Sequence, residues 1–382
     1  MKTAIKSGNI VLPGGVTAGY VLIEDGMILS VSEKMPVCDE LIDKSESIVM
    51  PGFIDIHTHG GGGFPFADST AEAVARGCDF HLMHGTTTIL PTVSASALPN
   101  MRRSLSAIGE VMDKNLSRAN VIGAHLEGPY LAPEMCGAQC TDYITEPKRE
   151  DYTALVSEYG KYIARWTFAP ERDENGEFAS FLAEHHILGS MGHTAAKLDS
   201  VKRALESGTR LVTHLYSCTS TVTRDHGFRS AGVIESCFLL DETVAEIIAD
   251  GRHLPPELIR MIIKIKGERG VIAVTDSLEV AGSRVDRGVM CGVEFIVEDR
   301  VAKLPDRSAF AGSVATADVL LKTLFSEVGV SLPTASRMLS ENPALLLGLN
   351  KGRIGAGLDA DLVILDKEFN VTDVFVLGEK VK

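Results

Sequence analysis

Eight short apolar runs, each ending in polar residues, constrain the fold of this 382-residue chain most strongly. The stretches between them, such as DSTAEAVARGCDFHLMHG and LPPELIRMIIKIKGERG, show helical periodicity and helix stop signals. The runs are IVMPGFIDI (48–56), TTTILPT (86–92), VIGAHLEG (121–128), IARWTFAPE (163–171), ILGSMGHT (187–194), LVTHLY (211–216), AEIIADG (245–251) and GVIAVTDS (270–277). Strands that alternate with helices form parallel sheets, and eight such units over roughly 250 residues are typical of a (β/α)8 TIM-like barrel. The sequence therefore predicts an α/β barrel over residues 48–350.

Both ends of the chain depart from this rhythm. Residues 1–47 and 351–382 contain short strand-like segments separated by glycine turns, such as GYVLIEDGMILSV and DLVILD. We expect the two ends to combine into one small β-sandwich domain beside the barrel. A third irregular segment, residues 282–310, contains VMCGVEFIVEDRVAKL. It is either a hairpin over the barrel mouth or a surface insertion.

The first apolar run leads into two histidines, in PGFIDIHTHG. His57 and His59 are two residues apart on a strand, so their side chains point to the same side. Such a pair could bind a divalent metal ion, or it could be two surface histidines at a turn. Barrel chemistry takes place at the carboxyl ends of the strands, where further ligand-type residues are expected to meet the pair. These residues are Glu127 in HLEGPY, His193 in GHT, His214 in THLY and Asp276 in VTDS.

The six residues predict a divalent-metal centre. Imidazoles mixed with carboxylates suit zinc, iron, manganese or cobalt better than calcium or magnesium. A carboxylate can bridge two ions about 3.5–4 Å apart, and Glu127 is placed to do so. His193 and His214 would then hold one ion, and His57 and His59 a second. We expect one or two ions.

Three nearby residues allow two interpretations each. Asp276 could act as a general acid and base, or it could cap a helix after the eighth strand. His125 could support the metal ligands from behind, or it could be a core histidine. His253, in IADGRH, could donate to a substrate oxygen, or it could lie in an exposed loop.

Net charge, the N-terminal residues and the cysteines argue against several partners and locations. The net charge of −14 argues against nucleic acid and anionic membranes as main partners. The N-terminal residues lack the apolar region of a secretory signal, and no stretch approaches a membrane span. Seven cysteines, an odd number at scattered positions, favour reduced thiols in the cytoplasm. Cys136 and Cys140 are spaced as a weak candidate metal pair.

Several of these motifs resemble one known family. PGFIDIHTHG, HLEGPY, GHT, THLY, IADGRH, VTDS, FAGS and ENPALLLGL, together with GLDADLVILD near the end of the chain, are similar to motifs of the N-acetylglucosamine-6-phosphate deacetylases of the amidohydrolase superfamily. The resemblance covers nearly the whole chain. It implies metal-dependent cleavage of an acetamide to acetate and an amino sugar phosphate, with Asp276 as acid and base and His253 polarising the acetamide carbonyl. Members that keep the H-x-H pair hold a second ion, whereas members that lack it use one.

The resemblance also implies a homodimer in which an arginine of the partner subunit reaches the substrate phosphate. Arg224, in TRDHGFR, is the best match, and Arg229 is the alternative. Further substrate contacts are implied at Ser217 and Cys218, where the family usually has asparagine and alanine. The same holds for three consecutive residues, which replace the family's G-A-H: Gly137, Ala138 and Gln139. Ser277 stands where alanine is common.

These departures lie on the substrate side, so other substrates stay open. They are N-acetylgalactosamine 6-phosphate, an unphosphorylated amino sugar and an N-acyl amino acid. Relatives that bridge two metals with a carboxylated lysine carry it on the fourth strand, and IARWTFAPE has none. A non-catalytic binding protein on the same fold would be expected to have lost some of the ligands, yet all six positions are filled.

Overall fold

The computed structural model describes all 382 residues and places eight parallel strands in one sheet. Each strand pairs with the next along the chain, and beyond the eighth strand the amide of Asp276 donates to the carbonyl oxygen of His57 at 2.9 Å. The sheet is therefore a nearly closed barrel, as the sequence predicts. The first to eighth barrel strands are Phe53–Thr58, Thr86–Ser94, Ala124–Glu127, Ile163–Phe168, Leu188–Met191, Leu211–Val212, Val244–Ile248 and Val271–Val274.

Most residues of the barrel strands are apolar or β-branched, which favours strands covered on both faces. Every residue of Phe53–Thr58 and of Thr86–Ser94 is buried. Strands of a parallel sheet are covered on both faces, so continuous apolar runs suit them better than alternation does. A two-residue strand, Asn120–Val121, adds to the second barrel strand.

Helices cover the outside of the barrel. Thr70 caps the first one by accepting a hydrogen bond from the amide of Ala73 at 3.3 Å. Its buried face includes Val74, Cys78 and Leu82, and each large apolar side chain buried in this way contributes about 1.5–3 kcal/mol. The α-helices are Ala71–Met83, Leu98–Lys114, Arg149–Tyr159, Glu177–Glu184, Leu198–Glu206, Val233–Leu239, Pro256–Lys266, Ala317–Lys322, Leu332–Ser336 and Asn342–Leu346. Two π-helical segments directly follow α-helices: Thr323–Val328 follows Ala317–Lys322, and Arg337–Glu341 follows Leu332–Ser336. None of these helices combines the length and the apolar composition that a membrane crossing needs.

Residues from both chain ends form a separate seven-stranded sheet, which we call the end sheet. Each of its strands is hydrogen-bonded to the next, and the sheet has its own apolar cluster, which includes Ile5, Val21 and Ile364. In spatial order its strands are Glu379–Lys380, Val371–Val376, Leu362–Leu365, Glu40–Pro51, Thr3–Leu12, Gly15–Glu24 and Met27–Ser32. The strand Glu40–Pro51 ends two residues before the first barrel strand, so it leads directly from the end sheet into the barrel.

The irregular segment after the eighth barrel strand forms a four-stranded antiparallel sheet, larger than the expected hairpin. Its strands are Arg287–Met290, Val293–Glu298, Val301–Lys303 and Phe310–Ser313. Met290 and Phe310 line the cavity at the barrel mouth, so this segment covers the mouth. Two further small hairpins pair Gly60–Gly61 with Phe64–Pro65 and Thr223–Asp225 with Phe228–Ser230.

Candidate metal centre

His57 and His59 lie at the end of the first barrel strand and face the barrel mouth together. Their Nε2 atoms lie 3.4 and 3.1 Å from the same atom, Oδ1 of Asp276. On the far edge of its ring His59 Nδ1 lies 3.0 Å from Ser94 Oγ. Both side chains are buried, so they are not the surface pair that the sequence left open.

Glu127 lies between the two pairs of histidines. Its Oε1 is 3.1 Å from Nε2 of both His193 and His214 and 3.4 Å from Nε2 of His57. Its Oε2 is 3.3 Å from His59 Nε2. The carboxylate thus faces both pairs, as a bridging ligand must.

His193 and His214 follow the fifth and sixth barrel strands in left-handed backbone conformations, with φ of 47° and 29°. Such conformations are uncommon for residues other than glycine and are concentrated at functional sites. His193 Nδ1 lies 3.0 Å from the carbonyl oxygen of Met135, which leaves Nε2 toward Glu127. The sixth strand ends at Val212 because the chain turns here to bring His214 inward.

Asp276 follows the eighth strand, also with a positive φ, of 48°. No helix begins there, since the next one is Ala317–Lys322, so Asp276 is not a helix cap. Its backbone carbonyl accepts a hydrogen bond from Ser313 at 2.8 Å. Its side chain is held beside His57 and His59 at the floor of the cavity.

The electrostatics of the cluster favour bound positive charge. Burial alone would lower the pKa values of His57 and His59, but Glu127 and Asp276 outweigh it and raise them to about 10 and about 9. Burial likewise opposes ionisation of Glu127, but the facing histidines hold its pKa well below the usual range. Two carboxylates buried among imidazoles therefore attract either protons or a cation.

A divalent ion fits these residues. Nε2 of His57 is buried with no hydrogen-bond partner, so a metal ion that displaces its proton would satisfy this nitrogen. His57, Glu127 and His214 offer ligand atoms that all lie within 4.8 Å of one another, and so do His57, His59 and Asp276. The nitrogen and oxygen donors suit a transition-metal ion.

His125 is fully buried directly behind this cluster. Its ring meets that of His57 edge-on with 4.5 Å between centroids, and its nitrogens lie 3.1 Å from Thr92 Oγ1 and 2.7 Å from Thr167 Oγ1. Burial lowers its pKa well below the usual range, and Arg165 adds to the effect. His125 is thus a core histidine that also packs against His57.

Sequence reasoning missed two charged residues beneath the centre. Glu246, on the seventh barrel strand, and Arg165, on the fourth, are fully buried and paired at 2.5 Å. Glu246 Oε1 also lies 2.9 Å from His57 Nδ1. The sequence does contain an indication of this pair. A charged residue within an apolar strand such as IARWTF or AEIIADG loses its solvation on burial, so a buried partner of opposite charge is expected.

A cavity of about 250 Å³ opens onto the centre. Five residues expected to contact substrate line it: Ala138, Gln139, Ser217, Cys218 and His253. Gly137 lies behind Cys218, since a Cβ at that position would come 2.4 Å from the Cys218 sulfur.

Gln139 and His253 are fixed by hydrogen bonds at the cavity wall. Gln139 Nε2 donates to Glu127 Oε2 at 2.7 Å, while its Oε1 accepts from the amide of Ala95 at 3.0 Å. His253 Nδ1 lies 2.9 Å from Asp250 Oδ2. The His253 side chain is only 3% exposed, so the exposed-loop interpretation is wrong.

Arg224 and Arg229 lie elsewhere. They face each other across the exposed hairpin of Thr223–Asp225 and Phe228–Ser230, and neither lines the cavity of this chain. Cys136 and Cys140 are free thiols and belong to neither group of potential metal ligands.

Comparison with known proteins places this geometry in a family. The model of the amidohydrolase family matches residues 48–381. The N-acetylglucosamine-6-phosphate deacetylase of Bacillus subtilis is 32% identical over 361 residues, which cover 92% of this chain and 90% of that protein. The human protein of the same name is 30% identical, covering 91% and 87%. An N-acetylgalactosamine-6-phosphate deacetylase of Escherichia coli O157:H7 is 26% identical, covering 94% and 93%.

Solved structures agree with the sequence comparison. The N-acetylglucosamine-6-phosphate deacetylase of Pasteurella multocida superposes with a TM-score of 0.92 at 27% identity, covering 100% of this chain and 99% of that one. A mutant of the Mycobacterium smegmatis enzyme, in complex with N-acetyl-D-glucosamine-6-phosphate, gives 0.91 at 26% identity, with the same coverage. The chain therefore belongs to the amidohydrolase family and, within it, to the N-acetylglucosamine-6-phosphate deacetylases.

Proposed function

We propose that this protein hydrolyses the acetamide of N-acetylglucosamine 6-phosphate to glucosamine 6-phosphate and acetate. The observation that carries the proposal is the meeting of four imidazoles and two carboxylates at the floor of one cavity, at the carboxyl ends of the barrel strands. In a member of this family, such a site suits hydrolysis of an amide.

The distances within the cluster support a set of ligand roles. Glu127, His193 and His214 would hold one divalent ion, and His57 and His59 with Asp276 would hold a second. A divalent ion in this position polarises the amide carbonyl and lowers the pKa of water. We propose zinc as the resident ion, with iron, manganese and cobalt as alternatives of the same ligand preference.

Asp276 moves the proton. As water adds to the carbonyl carbon, Asp276 accepts a proton from it, and it delivers that proton to the amide nitrogen as the C–N bond breaks. Acetic acid and the amine result, and the acid then loses its proton to the amine or to solvent, so the products at neutral pH are acetate and the ammonium form of the sugar. The Asp276 side chain lines the cavity and is about 11% exposed, which lets it reach the substrate.

His253 orients the acetamide. Asp250 binds its Nδ1, which leaves Nε2 as the free ring nitrogen at the cavity wall. In the proposed role the ring faces the acetamide carbonyl oxygen through Nε2 and polarises it. Ser217, Cys218 and the backbone near Gly137 shape the sugar pocket.

The phosphate needs cations that this cavity lacks, because no arginine or lysine lines it. Arg224 and Arg229 are directly opposite each other on an exposed hairpin and form no ion pair. Like charges placed in this way repel, so the pair is well suited to an anion. Phe228 on the same hairpin is 81% exposed, which favours burial against another subunit. We propose a homodimer in which this hairpin supplies Arg224, or Arg229, to the partner's cavity.

The proposed compartment is the cytoplasm. All seven cysteines are free, and reduced thiols are usual there. The partner is the small amino sugar phosphate, with no role for nucleic acid or membrane. The activity belongs to amino sugar metabolism.

Acetate release from a substrate panel tests the proposal. Protein reconstituted with zinc is offered N-acetylglucosamine 6-phosphate, its galactosamine epimer, unphosphorylated N-acetylglucosamine and an N-acetyl amino acid. We expect the highest kcat/KM for the first. Preference for the epimer would change the sugar only, whereas equal turnover with and without phosphate would refute the proposed substrate class.

Chelation tests the metal. Removal of the ion with a chelator should abolish turnover, and zinc, iron, manganese or cobalt should restore it, with the ion content measured by elemental analysis. Full activity in metal-free protein would contradict the assigned ligands.

A further inference from the structure

An ion pair lies inside the barrel, directly beneath the proposed metal centre. Arg165 Nη1 and Glu246 Oε2 are 2.5 Å apart, and both side chains are 0% exposed. Burial of two charges costs so much solvation that such a pair is a poor source of stability on its own. Its contacts point to another role.

Arg165 is held from several strands at once. Starting from the fourth barrel strand, Nη1 also donates to the carbonyl oxygen of Ile56 at 3.1 Å on the first strand. Nε donates to Ser190 Oγ at 3.0 Å and Nη2 to Thr213 Oγ1 at 2.9 Å, at the fifth and sixth strands. The guanidinium is therefore a rigid anchor across the barrel interior.

Glu246 joins this anchor to both halves of the metal centre. Its Oε1 accepts from Nδ1–H of His57 at 2.9 Å and from the backbone N–H of His214 at 3.2 Å. A carboxylate can only accept, so the His57 proton stays on Nδ1 and the Nε2 lone pair faces the metal position. The same oxygen restrains the backbone of His214, whose φ of 29° is unfavourable.

We propose that Arg165 and Glu246 form a positioning pair that fixes the tautomer and ring orientation of His57, and thereby controls occupancy of the ion that His57 and His59 hold. This inference rests on the proposed function, because it needs the metal centre described there. Neither residue touches substrate. The pair acts through His57 alone on the second ion and through the backbone on His214.

Glu246→Gln is the sharpest test, because an amide cannot satisfy both neighbours. If its oxygen accepts from Arg165, its NH2 group faces His57 Nδ1 and drives the proton to Nε2, which then cannot bind metal. If the amide is turned over, its oxygen accepts from His57, but its NH2 group then faces the N–H donors of Arg165. The volume is unchanged in both orientations, and either the tautomer control of His57 or the bond to Arg165 is lost.

Zinc content per chain, from equilibrium dialysis followed by elemental analysis, is the primary measurement. We expect Glu246→Gln to bind the His57–His59 zinc roughly ten- to a hundredfold more weakly, the range found for partners of ligating histidines, and to keep the other ion. Asp361→Asn is the matched control: Asp361 is a buried carboxylate paired with Lys351 at 2.6 Å near the end sheet. It should lower the melting temperature without changing the zinc content.

The outcomes are separable. Wild-type protein that binds none of zinc, iron, manganese and cobalt would refute the proposed function, while a Glu246→Gln variant with wild-type zinc content and affinity would overturn the positioning role alone. Should that variant not fold, ¹⁵N NMR of zinc-loaded wild-type protein, with His57 assigned by a His57→Gln variant, decides. Zinc on Nε2 with a proton on Nδ1 supports the inference, and zinc on Nδ1 overturns it.

Discussion

Replacement of Asp276 by asparagine removes a proton acceptor from the cavity while it keeps the size of the side chain. The backbone at this position has a φ of 48°, a left-handed conformation that asparagine tolerates better than most residues. The backbone hydrogen bonds to His57 and Ser313 do not involve the side chain and remain. The substitution therefore removes the proton transfer by the carboxylate and its charge beside His57 and His59, while the backbone is kept.

The expected loss follows from the proton transfers assigned to this group. General acid–base catalysis by one side chain contributes about 10²–10⁴-fold, and each factor of ten corresponds to about 1.36 kcal/mol of activation free energy. We therefore expect kcat to fall by about 10²–10⁴-fold, which raises the activation free energy by about 2.7–5.4 kcal/mol. The KM for N-acetylglucosamine 6-phosphate should change little. The ion at Glu127, His193 and His214 should stay bound, because those ligands are untouched.

Steady-state kinetics of acetate release, elemental analysis and a melting curve on one preparation provide the test. Asp318→Asn is the control, since Asp318 is a buried carboxylate that pairs with His84 at 3.1 Å away from the cavity. It should retain kcat. If folded, zinc-loaded Asp276→Asn turned over within a few-fold of wild type, the proton-transfer role would be wrong.

Three further outcomes are expected. Arg224→Ala should raise KM roughly ten- to a hundredfold with little change in kcat, since a hydrogen bond to a charged group contributes about 1.5–3 kcal/mol; a kcat effect alone would speak against phosphate binding. Iodoacetamide should inactivate the enzyme through Cys218, which lines the cavity, and substrate should protect it; an equally sensitive Cys218→Ala variant would show another target. Asp373→Asn should lower the unfolding free energy by about 1.5–3 kcal/mol at pH 7, measured by urea denaturation. Burial alone would raise the pKa of Asp373, but Lys380 and Lys44 outweigh it and lower the pKa. This stability is therefore present above about pH 4, the unfolded value, and is lost as the pH falls through the folded pKa. A deficit that does not shrink as the pH is lowered below about 4 would contradict the charge argument.

The barrel and its ligand set could be predicted from sequence because one geometric rule links them. Parallel strands place their carboxyl ends together, so residues as far apart as His57 and Asp276 had to meet once the strand pattern was recognised. The Arg165–Glu246 pair escaped prediction because it takes a three-dimensional barrel to bring the fourth and seventh strands into contact across its interior. Period-2 patterning revealed strands in 282–310 but not how many would pair.

The substrate side was harder, because loops rather than strands build it. Gln139 was expected to contact substrate from its place in a motif, yet its side chain also bonds Glu127, a contact that no local pattern encodes. The exposed hairpin that carries Arg224 lies outside its own cavity, so its proposed role depends on a second subunit that a single sequence does not display.

Synthesis on the ribosome leaves the strand Glu40–Pro51 without one of its neighbours for most of translation. In the finished fold it pairs with Thr3–Leu12 on one side and with Leu362–Leu365 on the other. Until residue 365 has emerged, that second edge presents unpaired N–H and C=O groups, which is the kind of surface on which nascent chains associate wrongly. The strand that leads to His57 and His59 is thus completed late, and we expect fragments lacking residues 362–365 to aggregate rather than to accumulate as folded barrels.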